Sequence, residues 1–311
     1  MLSHIPLITV LGPTAVGKTK LAVGIAHYFK TEIISADSRQ VYRGMDIGTG
    51  KDIDDYNYCG EKIPVHLIDI VDAGEKYDIY NYKNDFIVAY NTIKSKNKTP
   101  ILCGGSGLYL NTVLLDYNLP QADFSKENID KYTTYSDAEL IEELKSLKEL
   151  HNTTDTEDRD RLIKALIIAK AENKSEDSEK SQKFYPSPVI GITDKRENII
   201  NNIDLRLEKR LEEGMIEEVE SLIDSGIEPD DLKYYGLEYK FITSYLLNEI
   251  DFDTMKNNLK IAIHQFSKRQ MTWYRNMQKK GIEIFWLNLS DGLNVNTQKA
   301  VDYIIKLEVR S

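Results

Sequence analysis

Ile5-Pro6-Leu7-Ile8-Thr9-Val10-Leu11-Gly12-Pro13-Thr14-Ala15-Val16-Gly17-Lys18-Thr19 is the stretch that decides the fold of this 311-residue chain. Its first half is a short apolar run rich in β-branched residues, the pattern of a strand buried on both faces. Its second half, Gly12 to Thr19, matches Gly-x-x-x-x-Gly-Lys-Thr. From Lys18 to Phe29 apolar residues recur at Leu21, Ile25, Tyr28 and Phe29, a helical spacing. Strand, glycine loop and helix in that order are the context that turns the pattern into a phosphate-binding loop. Gly12, Pro13, Thr14, Ala15, Val16 and Gly17 would turn the backbone so that successive N–H groups converge on phosphate oxygens. The following helix adds its positive end. Lys18 supplies a point charge, and Thr19 offers a hydroxyl to Mg2+.

A loop of this kind says polyphosphate, not which reaction. Enzymes that move a γ-phosphate usually place an aspartate at the end of an apolar strand as a metal ligand. Here the later candidate, Pro100-Ile101-Leu102-Cys103-Gly104-Gly105, ends in glycines. Asp37 is the carboxylate that does end a strand, in Glu32-Ile33-Ile34-Ser35-Ala36-Asp37. In open α/β sheets the C-terminal ends of strands line the ligand crevice. Asp37 is therefore a candidate metal ligand or general base, with a turn aspartate as the plainer alternative.

Working outward, strands are expected at Val65–Asp69 and Pro100–Cys103, with a helix from about Asn81 to Lys94 between them. The alternation implies a parallel sheet with helices on both faces. After Pro120 the character changes. Residues 121–183 show no strand pattern, and helical patterns run from Ala138 to Leu150 and from Arg161 to Ala171. A polar stretch at 172–181 reads as an exposed loop. Strand character returns at Pro188–Thr193, followed by long helices at about Arg196–Ser225 and Asp253–Lys280 and a late strand at Ile282–Leu289. The expected fold is α/β: a P-loop NTPase-like parallel sheet over 1–120 and 186–311, with an all-helical insertion over 121–185.

Composition sets limits. No apolar run approaches the ~18 residues of a membrane span, so no membrane partner is expected. Cys59 and Cys103 stand outside any metal-ligand spacing and suit a reducing cytoplasm. The formal net charge of −10 is unfavourable for a nucleic-acid partner. Yet no Asp or Glu occurs from Thr254 to Ile282, where Lys256, Lys260, Lys268, Arg269, Arg275, Lys279 and Lys280 are all basic. That stretch is either a solvated helix face or a phosphate-contacting surface. The aromatics within it, Trp273 and Tyr274, are expected in the core.

Several blocks of the chain also resemble a known family. Ile34-Ser35-Ala36-Asp37-Ser38-Arg39-Gln40-Val41-Tyr42-Arg43-Gly44-Met45-Asp46-Ile47-Gly48-Thr49-Gly50-Lys51 is similar to a signature of the tRNA dimethylallyltransferases, also called tRNA isopentenyltransferases. Val65-His66-Leu67-Ile68-Asp69, Gly104-Gly105-Ser106-Gly107-Leu108-Tyr109-Leu110 and Lys268-Arg269-Gln270-Met271-Thr272-Trp273 continue the similarity in the family's order, over nearly the whole chain.

The resemblance implies transfer of a dimethylallyl group from dimethylallyl diphosphate to N6 of the adenosine 3′ of the anticodon, in tRNAs that read codons beginning with U. It assigns Asp37 as the general base. Lys18, the loop Gly12–Thr19 and a Mg2+ on Thr19 would hold the departing diphosphate. Ser106, where the family usually has Thr, would place a hydroxyl on the diphosphate or the nucleotide. Asp37, Ser38, Arg39 and Gln40 would contact tRNA, as would Lys268, Arg269 and Gln270, while the insertion closes on the anticodon stem-loop. The insertion's 16 acidic against 11 basic residues make a poor clamp unless Arg159, Arg161 and Lys164 share one face. Gly104, Gly105 and Gly107 would let the backbone approach the substrate. A monomer working in the cytoplasm is expected.

One departure concerns a cation: Ile263-His264-Gln265 stands where the family commonly has Thr-Arg-Gln, and the alternatives are compensation by another cation such as Arg206 or Arg210, or His264 acting as a hydrogen-bond donor. A small-molecule kinase, an adenylate isopentenyltransferase acting on free AMP or ATP, and a non-catalytic RNA-binding module are the competing readings.

Overall fold

A computed structural model describes residues 2–115, 123–147, 159–174, 184 and 187–310. In chain order the elements begin β1 (Ile8–Leu11), α1 (Lys18–Phe29), β2 (Ile33–Ser35), a two-stranded hairpin β3 (Asn57–Tyr58) and β4 (Glu61–Lys62), β5 (Val65–His66), α2 (Ile79–Ser95), β6 (Ile101–Gly104) and α3 (Gly107–Leu114). Next come α4 (Lys126–Asp130), α5 (Asp137–Leu147) and α6 (Arg159–Lys174). The chain continues through β7 (Val189–Thr193), α7 (Arg196–Glu212), α8 (Met215–Asp224), α9 (Pro229–Tyr234), α10 (Leu237–Leu246), α11 (Phe252–Lys279), β8 (Phe285–Asn288) and α12 (Leu293–Arg310). Residues 1–115 with 184–311 form one compact unit and 116–183 another. Among the described residues no helix is long and apolar enough to cross a membrane.

Six strands make one parallel sheet in the order β5-β2-β6-β1-β7-β8. Both faces are covered, and side-chain alternation sorts each strand between them. Ile8 and Val10, Ile33, Ile101 and Cys103, and Ile190 and Ile192 face one core, shared with α1, α7, α11 and α12. Leu11, Ile34, Leu102 and Val189 face the other, filled by Tyr82 and Phe86 of α2, Leu110 of α3 and Tyr274 and Met277 of α11. This two-sided burial is why the strands read as continuous apolar runs rather than alternating ones.

The expected strands are present with trimmed ends, the helices expected at 81–94 and 161–171 run slightly longer, and one expected helix is divided. The pattern predicts a single helix over 196–225, whereas α7 stops at Glu212 and α8 starts at Met215. Gly214 between them has φ 98°, a left-handed conformation that breaks the helix and that side-chain-bearing residues rarely adopt. The break turns the strongly amphipathic α8 so that Met215 and Val219 are buried. Helices α9, α10 and α12 were not anticipated.

The unit 116–183 is helical in its described part. Leu140, Leu144, Leu162, Ile163, Leu166 and Ile167 make its own core. Arg159 is committed to that unit: its guanidinium donates to the carbonyls of Tyr132 (3.4 Å), Thr133 (3.0 Å) and Tyr135 (2.6 Å) and pairs with Asp137. Lys164 is exposed on α6. The side chain of Arg161, the helix end at 148–150 and the loop at 175–181 lie outside the described residues.

Candidate active site

The site is built where β1, β2 and β6 end. Gly12–Thr19 follows β1 directly, with Ala15 (φ 63°) and Gly17 (φ 71°) in the left-handed region, and Lys18 opens α1. The loop is held from behind by α11. Buried Gln270 accepts a hydrogen bond from the Thr14 amide (2.8 Å) with its side-chain oxygen and donates its NH2 to the Gly105 carbonyl (3.0 Å). One turn on, fully buried Tyr274 donates its hydroxyl to the Gly12 carbonyl (2.9 Å). From α7, Arg206 donates to the Thr14 hydroxyl (2.8 Å).

Asp37 lies just past β2, and the segment after it is tied to the loop after β6. The Ala36 amide donates to the Cys103 carbonyl (2.7 Å), the Ser106 amide to the Ala36 carbonyl (3.2 Å) and the Ser38 amide to the Ser106 hydroxyl (3.1 Å). Asp37 Oδ1 accepts the Arg39 amide (3.0 Å), which makes it a turn aspartate through one oxygen while it still faces the cavity. Gln40 donates to the Gly50 carbonyl (2.9 Å) and so secures the loop 44–51. Glu218 anchors that loop from α8 by accepting three successive amides, Asp46 (2.8 Å), Ile47 (2.6 Å) and Gly48 (3.0 Å), together with the Tyr239 hydroxyl (2.7 Å).

These segments enclose a cavity of about 600 Å³. Lys18, Thr19, Asp37, Ser106 and Arg206 all line it. Burial presses the Lys18 ammonium below the usual lysine range, and Asp37 pulls it back up. Burial, then the neighbouring Arg210, pushes Arg206 down to about 10. Glu238, also on the wall, is raised by burial against the pull of Arg210 and Arg206. Burial pushes the Cys103 thiol up to about 12. Lys18 and Arg206 thus hold positive charge against its desolvation cost, and an incoming polyanion reverses that cost.

Among the described residues no group of three or more His, Cys, Asp or Glu side chains could hold a metal. A cation here would be shared between the Thr19 hydroxyl and the phosphates of a substrate, the usual way Mg2+ is held beside a phosphate loop.

Family-model matching and chain-wide similarity bear on this site. The IPP transferase family model matches residues 40–277. A tRNA dimethylallyltransferase of Bacteroides fragilis is 48% identical over 284 residues, 91% of this chain and 93% of that protein. One of Porphyromonas gingivalis is 49% identical over 284 residues, again 91% of this chain and 93% of that protein. The chain belongs to the IPP transferase family. The crystal structure of a tRNA isopentenylpyrophosphate transferase from Bacillus halodurans has a TM-score of 0.71 at 28% identity, covering 98% of this chain and 97% of that one. The solved structure of a eukaryotic dimethylallyltransferase acting on tRNA shares the fold, with a TM-score of 0.79 at 22% identity over 97% of this chain and 80% of that one.

Within this IPP transferase fold, the sequence-derived residues fall into three groups. Lys18, Thr19, Asp37, Ser38, Arg39 and Ser106 converge on the cavity. Gln270 and Gln40 also touch it, but their amides are spent on holding loops, and the Ser106 hydroxyl is engaged with Ser38. Lys268 is exposed and away from the lining, next to exposed Arg269, which does line it. Gly104, Gly105 and Gly107 line the cavity, and each is also packed closely against the protein. A Cβ at Gly104 would strike the Ala36 backbone, at Gly105 the Gln270 amide and at Gly107 the Trp273 ring.

The basic stretch is also smaller than it reads, because Lys256 pairs with Glu208 (2.7 Å) and Lys260 with Asp204 (2.8 Å). His264 sits on that same Asp204 (2.7 Å) and not on the cavity wall, so Arg206 is the cation beside the loop. Trp273 departs from the core expectation: it is 39% exposed and lines the cavity.

Sequence reading missed the clasp by Gln270 and Tyr274. The buried residues of α11 are Met255, Leu259, Ile263, Ser267, Gln270, Tyr274 and Met277, a helical stripe that already sets Gln270 apart from Lys268 and Arg269. Glu218 and Glu238 carried no such local signal.

Proposed function

We propose that this protein transfers the dimethylallyl group of dimethylallyl diphosphate to N6 of the adenosine 3′ of the anticodon in cytoplasmic tRNA that reads codons beginning with U. The observation that carries the reading is the juxtaposition, in one cavity, of two desolvated cations beside a phosphate loop and one carboxylate at the next strand end. Membership in the IPP transferase family supports the same chemistry over a γ-phosphate kinase.

The reaction forms a bond between N6 and the allylic C1 as the C1–O bond breaks, and the electron pair leaves on diphosphate. Charge grows on the departing oxygens, and the loop amides, Lys18 and Arg206 are aimed at it in advance. Gln270 and Tyr274, bonded to the Thr14 amide and the Gly12 carbonyl, keep the loop from having to reorganise during the step. The amine must lose a proton as it attacks. Asp37, with one oxygen fixed by the Arg39 amide, has the other to accept it. Mg2+ on Thr19 would supply further neutralisation of the diphosphate.

The target base has to leave the anticodon-loop stack to enter the cavity. Arg39 and Arg269 on the lining, and Lys268 beside it, are the protein's contacts to the RNA in this reading. Incubation with dimethylallyl diphosphate, Mg2+ and unmodified tRNA should add a prenyl mass to that adenosine. A gain on AMP with none on tRNA would move the assignment to free nucleotides.

A further inference from the structure

The aromatic side chains of the cavity divide sharply by exposure. Tyr56, Tyr109, Tyr235 and Tyr239 are at most 5% exposed, whereas Phe266 and Trp273 are each 39% and Tyr234 73% exposed. Phe266 and Tyr234 each carry a guanidinium. Arg39 lies 5.9 Å from the centroid of Tyr234, and Arg269 lies 5.9 Å from the centroid of Phe266. All four residues line the cavity.

Neither ring is loosely mounted. Tyr235, next to Tyr234, is buried, stacks edge-on against Tyr42 (4.6 Å) and accepts the Gly74 amide on its hydroxyl (2.7 Å). Arg39 is tied through its amide to Asp37. Phe266 stands one helical turn before Gln270, the residue that clasps the phosphate loop.

Resting on the function proposed above, we infer that Tyr234 with Arg39 and Phe266 with Arg269 are two stacking platforms for the unpaired anticodon-loop bases that flank the target adenosine. A ring with an adjacent guanidinium suits a nucleotide, because the base lies on the ring and the phosphate meets the cation. A prenyl tail would gain nothing from the cation. The platforms adjoin the two ends of the chemistry, with Arg39 bonded through its amide to Asp37 and Phe266 one turn from Gln270. Bases seated on them would therefore fix where the flipped adenosine arrives.

The test uses steady-state transfer to an unmodified anticodon stem-loop and the fluorescence of 2-aminopurine placed in turn on each side of the target adenosine. Tyr234→Leu and Phe266→Leu should each raise KM for the stem-loop about tenfold, the loss of one base-stacking contact. KM for dimethylallyl diphosphate should not follow. Tyr234→Phe and Phe266→Tyr keep the ring and should keep KM within about twofold. Wild-type enzyme should quench one of the two flanking probes through each platform, and each Leu variant should lose the quench of its own. Leu variants with wild-type KM for the stem-loop, or with the rise on dimethylallyl diphosphate instead, overturn the platforms while leaving tRNA prenylation intact. A wild-type enzyme that prenylates no tRNA overturns the function itself, and the platforms with it.

Discussion

The two ends of the cavity are built to opposite rules. At the phosphate end the backbone is tied down by buried side chains: Gly12 by Tyr274, Thr14 by Gln270 and Arg206, and Gly105 of the loop after β6 by Gln270. At the rim, large rings stand exposed with arginines beside them and no such network. A leaving diphosphate is the same in every turnover, so preorganised donors serve it best. An RNA loop must enter and depart each time, and exposed planar surfaces accept it without breaking internal bonds. The difference places rate at one end and selection at the other.

Changes at the phosphate end should therefore lower kcat, and the largest effect is expected there. Lys18→Ala removes a cation aimed at the leaving group and should cost about 10²–10³ in kcat, read by single-turnover transfer. Arg206→Ala should follow at about tenfold to a hundredfold in kcat/KM for dimethylallyl diphosphate, measured at saturating stem-loop. Gln270→Ala leaves the Thr14 amide and the Gly105 carbonyl without their partner. It should destabilise by about 1–3 kcal/mol in urea melts and lower kcat with little change in KM for tRNA. A rise in KM for tRNA with unchanged kcat would instead make Gln270 an RNA contact and blur the division.

The smallest catalytic effect is expected from Glu32, just before β2, at the opposite end of that strand from the cavity. Burial raises its pKa, but hydrogen bonds from His66 (2.9 Å), Lys96 (2.9 Å) and Lys98 (2.9 Å) outweigh that and hold it at about 2. A carboxyl depressed on folding stabilises the protein above its unfolded pKa of about 4.3, and that stability is lost as pH falls toward about 2. Glu32→Gln should flatten the stability profile between those pH values, followed by denaturant midpoints, while kcat at neutral pH stays near wild type. Loss of kcat in step with stability would mean that the two ends of the strands are not independent.

The phosphate end was legible in the sequence because its chemistry is local. A strand, a glycine loop and a helix are contiguous, and Asp37 ends the next strand, so period and position alone bring them together. The clasp was half legible: the buried stripe of α11 sets Gln270 inside, but the partners of Gln270 lie 256 and 165 residues away. Glu218 was not legible, since its three amides are 170 to 172 residues distant and the helix break at Gly214 that orients α8 was read through. The rim was misread for a related reason. Trp273 and Tyr274 are neighbours in a helical pattern, and one residue of helical rotation separates a core tyrosine from a tryptophan on the cavity wall. Charge was misread as well, because Lys256 and Lys260 are neutralised by carboxylates of α7 that the local sequence does not contain.

The central claim is that one cavity releases diphosphate and deprotonates an adenosine amine in the same event, with Asp37 as base. The direct measurement is a single turnover with tRNA and dimethylallyl diphosphate in which prenylated adenosine and released diphosphate are quantified together, for wild type and Asp37→Asn. Wild type should yield one diphosphate per prenylated adenosine, and the variant should slow both together by about a hundredfold or more. Wild-type transfer by Asp37→Asn, or diphosphate released without prenylated adenosine in the wild type, would contradict it.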